Sequence, residues 1–183
     1  MLFNTCKVAD ARVIEPMPHV DIRGRFIRAW CLREFAKHGI EFSPLQANMG
    51  LSHKRGTIRG LHYQVAPTLE AKLVRCTRGS LFDVVVDLRP ASPTYCAWYG
   101  TILSADNARM LYLPAGCAHG CQSLEDDTEF HYMTSAVYAP NDVRGARYDD
   151  RAFGIEWPLP ASLVSEQDRN WPRFEKRQGG ASG

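Results

Sequence analysis

The chain has 183 residues, a length that at roughly 150 residues per domain points to one domain. Hydrophobic residues make up 45% and charged residues 23%, an ordinary globular balance that excludes a disordered default state and a coiled coil. Lys and Arg number 22 against 20 Asp and Glu, and a net charge of +2 argues against a nucleic-acid or membrane partner while leaving room for a small anionic ligand.

The chain opens with Asn4, Lys7, Asp10 and Arg12 mixed among apolar residues, which does not read as a signal peptide. A strand is expected over residues 25–30, then a short helix over 31–38 with Leu32, Phe35 and Ala36 on one face and Gly39 as its stop. Further strands are expected over 44–49, 57–64, 71–77, 80–88, 98–103, 109–113, 119–124 and 129–134, bounded by turn-forming residues such as Arg78-Gly79 and Ser104-Ala105-Asp106-Asn107. From Pro158 onward the chain is Pro-rich and irregular, with a turn of helix near 165–168. Many short strands and little helix, with 14 Gly and 11 Pro, predict an all-β sandwich or barrel with one or two short peripheral helices. The domain is expected to span 1–172 and to leave 173–183 as a polar tail, frayed at its Gly179-to-Gly183 end. The longest apolar runs, such as 81–88, are strand-sized and carry Asp, so no membrane span is expected. Six cysteines without a Cys-x-x-Cys pair fit reduced thiols and a cytoplasmic setting.

Polar residues planted in apolar strands mark the candidate site. In Arg59-Gly60-Leu61-His62-Tyr63-Gln64, strict alternation would send Arg59 and His62 to opposite faces, and a bulge at Gly60 would bring them to one. Pro114-Ala115-Gly116 is turn chemistry leading into the second histidine strand, at His119. Cys117, His119 and Cys121 alternate in a way that suits a metal in principle, but Cys is often only a small buried apolar residue, and no metal is expected. Gln46-x-Asn48 presents two amides on one face, for a planar ligand or for cross-strand bonding. Lys72, Asp83 and Asp87 need partners if buried, and Lys72 with Asp83 is a candidate pair. Tyr132 and Tyr138 read equally as site residues or as core and rim aromatics. Asp168, after Ser165-Glu166-Gln167, has helix capping as its ordinary alternative.

Taken in order, Asp21-x-Arg23-Gly24, Gln46-x-Asn48, Arg59-Gly60-Leu61-His62-Tyr63-Gln64, Lys72-Leu73-Val74-Arg75-Cys76 and Asp83-Val84-Val85-Val86-Asp87-Leu88-Arg89 form one pattern. It continues through Ser92-Pro93-Thr94-Tyr95, Pro114-x-Gly116-x-x-His119-Gly120, Tyr132, Tyr138-Ala139-Pro140, Asp149-Asp150, Gly154-Ile155-x-Trp157-Pro158 and Ser165-x-x-Asp168. From about residue 10 to 172 this ordered set resembles the dTDP-4-dehydrorhamnose 3,5-epimerase family. The resemblance implies a cupin-type jelly-roll barrel, a homodimer, no metal, no cofactor and a nucleotide-linked 4-keto-6-deoxyhexose as substrate. It also implies His62 as base with Asp168 polarising it, Tyr132 as acid on the opposite face, and Lys72 and His119 around the sugar, with Asp83 behind them. Arg59 resembles a diphosphate ligand. Arg23, given across the dimer, with Phe26, Gln46, Asn48 and Tyr138, resembles the nucleotide grip.

The chemistry of these residue types agrees. A proton beside a ketone leaves only if the enolate is stabilised, and His accepts protons at neutral pH. A carboxylate on its other nitrogen fixes the tautomer, a lysine can meet the developing oxyanion, and inversion requires a second group on the other face. Two positions depart from the family pattern, Arg28 and Val143, each where a Glu is usual, and both bear on nucleotide identity. The alternatives are a C3-only epimerase, an epimerase of CDP- or GDP-sugars, a metal-dependent cupin oxygenase and a non-catalytic sugar-binding module. A metal cupin wants His-x-His where this chain has His62-Tyr63-Gln64.

Overall fold

The strands, in chain order, are β1 (Leu2–Thr5), β2 (Arg12–Glu15), β3 (His19–Asp21), β4 (Gly24–Phe26), β5 (Gln46–Ser52), β6 (Thr57–Gln64), β7 (Lys72–Arg78) and β8 (Ser80–Asp87). They continue with β9 (Trp98–Ser104), β10 (Met110–Leu113), β11 (Cys117–Ser123), β12 (Thr128–Thr134), β13 (Val143–Gly145) and β14 (Leu163–Val164). Two short helices, α1 (Leu32–Lys37) and α2 (Glu166–Asn170), complete the elements of this computed structural model, which describes residues 1–176.

One sheet has the order β1-β2-β10-β7-β12-β5, and the other β13-β6-β11-β8-β9 with β14 added in parallel to β6. The two sheets face each other. Inward side chains of the first, among them Val74, Leu111 and Phe130, meet Leu81, Val85 and Leu103 of the second in one apolar core. Burying each such side chain contributes about 1.5–3 kcal/mol, which is why strand alternation sets the registers. The outer face of the first sheet is closed by α1, whose Phe35 packs with Ile14, Leu73, Met110 and Phe42. The outer face of the second is closed by the segment carrying Ala146, Phe153 and Trp157, which packs on Leu61, Val84 and Val86. With both outer faces covered, the remaining concavity lies between the sheets.

Eight of the nine expected strands are observed within a few residues, as is the helix. The strand expected over 25–30 shrinks to β4, which pairs only with β3 in an isolated hairpin whose six strand residues are all exposed. Hairpin residues without a buried face carry no alternation to read. β1, β2, β3, β13 and β14 were not anticipated; they have two to four residues each, too few for alternation to show, and β13 and β14 take their pairing from the eight-residue β6. Anchoring of the C-terminal segment runs past residue 172. The Phe174 ring packs against Phe153 with centroids 5.0 Å apart, and its N–H donates to Asp150 at 2.7 Å. Residues 177–183, including the expected frayed end, lie outside the described residues. Among the described residues no helix is long and apolar enough to cross a membrane, and the six cysteines are separate thiols.

Candidate active site

Gly60 sets the geometry of the site. His62 faces His119 and Gly60 faces Gly120 across β6 and β11, so Leu61 is the extra residue of a β-bulge. The bulge turns Arg59 and His62 to the same cavity, and Leu61 to the covered outer side. Only glycine fits at position 60: φ is +113°, and a Cβ there would stand 2.6 Å from both the Gly120 Cα and the His119 carbonyl oxygen.

The cavity measures about 580 Å³ and lies between the sheets. From the second sheet come Arg59, His62 and His119; from the first come Lys72 and Tyr132; α2 adds Asp168. A smaller lobe of about 200 Å³ adjoins it and shares His62, Lys72 and Tyr132. Gln46, Asn48, Tyr138 and Val143 line that lobe. Gln46 donates its amide to Asn48 Oδ1 at 3.0 Å and accepts the Tyr138 N–H at 3.0 Å, so the two amides and the tyrosine loop form one wall.

His62 is paired through Nε2 with Asp168 Oδ1 at 2.6 Å, and is itself about one-third exposed to the cavity. Asp168 is not the helix cap: Ser165 caps α2 by accepting the Asp168 N–H at 3.0 Å, which leaves the carboxylate for other partners. These are His62, the Gly60 N–H at 3.1 Å and the Trp171 indole N–H at 3.2 Å. Burial by itself would push the Asp168 carboxyl up, but these donors and the His62 charge outweigh it and hold the group below the usual carboxylate range. A second dyad stands beside the first. His119 Nε2 meets the fully buried Asp83 Oδ1 at 2.7 Å, across the β8–β11 pairing.

Lys72 does not pair with Asp83, whose Oδ1 meets His119 and whose buried Oδ2 has no hydrogen-bond partner among the described residues. Its ammonium meets Glu70 at 2.9 Å and lies 6.0 Å from the centre of the Tyr132 ring. Tyr132 stacks on Phe130, and burial, with Glu70 nearby, pushes its phenol up, so it stays protonated well into the alkaline range. Arg59 is held over Phe130 by Ser52 Oγ at 3.2 Å and the Leu51 carbonyl at 2.8 Å.

A family model described as dTDP-4-dehydrorhamnose 3,5-epimerase matches residues 5–176. The chain belongs to that family. It is therefore an isomerase, with a cupin-type jelly roll. The epimerase of Sinorhizobium fredii is 42% identical over 173 residues, covering 94% of this chain and 89% of its own. The Bacillus anthracis epimerase, solved with TDP and PPi bound, superposes with a TM-score of 0.90 at 37% identity and covers 93% of this chain and 97% of its own. The Legionella pneumophila epimerase, solved with dTDP-4-keto-L-rhamnose, gives 0.87 at 31% identity and covers 96% and 99%.

Within one epimerase chain, ten of the twelve residues singled out in the sequence gather at the cavity, its adjoining lobe or directly behind His119. Arg23 and Phe26 do not. They project from the β3–β4 hairpin, where Arg23 is bound to Asp21 and Phe26 is exposed. Cys117 and Cys121 are packed into the core; burial pushes the Cys117 thiol up to about 12 and raises Cys121 as well, which disfavours the thiolates a metal would need. Among the described residues, no three His, Cys, Asp or Glu side chains gather as a metal site. Glu70 and Trp171 escaped the sequence reading. Glu70 was within reach of it, because residues i and i+2 share a face of an extended chain. Trp171 lies in irregular sequence and left no signal.

Proposed function

We propose that the protein inverts C3 and C5 of a nucleotide-linked 4-keto-6-deoxyhexose, converting dTDP-4-keto-6-deoxyglucose to dTDP-4-keto-rhamnose. The observation that carries this reading is that His62 and Tyr132 stand on facing sheets around one cavity, with Lys72 beside Tyr132. His62, held in one tautomer by Asp168, takes the proton from the carbon next to the ketone. Lys72 and His119 stabilise the enolate oxygen. Tyr132, kept protonated by burial, donates its proton to the opposite face of the same carbon. Phenolate and imidazolium then exchange protons with solvent, and the cycle repeats at the second carbon. Only protons move, so no cofactor or metal is required.

Arg59, already oriented by Ser52 and Leu51, suits the diphosphate. Asn48, whose Oδ1 is taken by Gln46, offers its N–H groups to the nucleotide beside Tyr138. Arg28 is paired with Glu34 at 3.5 Å and Val143 lines the smaller lobe, so neither supplies the carboxylate usual in the family. Arg23 and Phe26 complete the grip from the second chain of a cytoplasmic homodimer. Incubation with dTDP-4-keto-6-deoxyglucose in deuterated water tests the reading. One deuteron each at C3 and C5 is expected from the parent and none from His62→Ala. Undiminished exchange in His62→Ala would remove His62 from the base role.

A further inference from the structure

We propose that Trp171 is a positioning residue for the reaction, its indole fixing both Asp168 and the His62 ring in their working geometry. The inference rests on the reading of His62 as the base. Trp171 follows directly on α2, and its N–H donates to Asp168 Oδ1 at 3.2 Å, the same oxygen that meets His62. Its ring system also meets the His62 ring edge-on, with centroids 6.5 Å apart and planes at 69°. The indole is seated in a slot that only glycine can line. A Cβ on Gly145 would stand 2.2 Å from Trp171 Cε2, and Gly145 is the direct cross-strand partner of His62. Three residues further on, Phe174 is pinned to Phe153 and Asp150, so the strap bearing Asp168 and Trp171 is held beyond the dyad as well.

The chemical consequence has a definite sign. Asp168 Oδ1 divides its acceptor strength between His62 and the indole. With the indole N–H gone, the carboxylate becomes the stronger acceptor towards His62 and favours the imidazolium, so His62 titrates at higher pH. The acid limb of kcat/KM, set by the neutral base, moves up with it. The titratable and charged groups that face the dyad across the cavity are Arg59 on β6, Lys72 on β7 with Glu70, His119 and Cys121 on β11 with Asp83 behind, and Tyr132 on β12. On the outer side stand the exposed Glu166 and Arg169 of α2; Arg147 donates to the Arg169 carbonyl and is itself paired with Asp149. Neither substitution below alters any of them.

Trp171→Phe keeps a ring in the slot and removes the donor. Gly145→Ala leaves Trp171, Asp168 and His62 in the sequence but displaces the indole. In both, the His62 NMR titration midpoint and the acid limb are expected to rise by about half a pH unit, with the plateau kcat lowered about 3- to 10-fold and KM nearly unchanged. A midpoint and limb that superimpose on the parent's in Gly145→Ala and in Trp171→Phe, whatever the change in melting temperature, would overturn the proposal. The base assignment is judged separately, by whether His62→Ala still exchanges substrate hydrogen.

Discussion

A carboxylate on one nitrogen of a histidine fixes its tautomer and stabilises the imidazolium it becomes, and here Asp168 is free for that work because Ser165 takes over the helix cap. Asp168→Asn keeps the size of the side chain but removes the charge that stabilises the imidazolium. A loss of at least about 100-fold in kcat is expected, with the nucleotide product still binding at near-parent strength, as isothermal titration would read. Tyr132→Phe separates its two readings. An ordinary cavity-lining aromatic tolerates loss of one hydroxyl, because Phe preserves the shape. An acid does not: proton removal by His62 continues while delivery to the opposite face fails, so exchange with retention should overtake inversion. An unchanged ratio of exchange to inversion would transfer the acid role to Tyr138 or water.

At the scale of elements, a buried carboxylate at the end of β8 ties distant segments together. Asp87 is fully buried, and accepts from the Arg89 side chain and from the Ser92 and Thr94 hydroxyls; Arg89 in turn reaches Asp10 and the Ala9 carbonyl. Burial would push Asp87 up, but these donors win and bring it down to about 2. A depressed folded value means stability that is complete above the unfolded value of 3.8 and is lost as pH falls towards 2. The group contributes about 2 kcal/mol at neutral pH. Urea unfolding of Asp87→Asn should therefore show a deficit of that order at pH 7 that shrinks steadily between pH 4 and pH 2; a deficit independent of pH would refute the linkage. β6 shows the same dependence on a neighbour in purely steric form, since its bulge exists because Gly60 and Gly120 can approach without side chains.

At the scale of the whole molecule, one feature of the single chain stands unpartnered among the described residues. Val20, Ile22 and Phe26 of the β3–β4 hairpin are largely exposed, as is Met17 just before it, an apolar cost that association with a second copy would relieve. Arg23 sits on this hairpin and does not line the cavity of its own chain. If it serves the partner's site, Arg23→Ala and His62→Ala, each poorly active alone, should complement when mixed and refolded together. Half of the dimers would be hybrids with one intact site, so about a quarter of the parent activity should return. No recovery, or a monomer in sedimentation at full activity, would exclude the shared site.

Periodicity, turn residues and ordered motifs were enough to read an all-β barrel, most of its long strands and ten of the residues at the cavity, because alternation records which side chains face inward wherever a strand is buried. The bulge at Gly60 was legible for the same reason, since a glycine between two polar residues breaks an otherwise strict alternation. What the sequence could not contain is who meets whom between strands far apart in the chain. Lys72 pairs with Glu70, two residues away in the chain, while His119 from the neighbouring strand takes Asp83 Oδ1. The His62–Asp168 pair is expected only through the family resemblance; what frees the carboxylate for it is that Ser165 caps the helix, and Trp171, seated over Gly145, donates to the same carboxylate oxygen. Those choices are competitions among several polar groups for the same buried acceptors, and only the packed sheets decide them, by setting the distances over which charge and hydrogen bonding act.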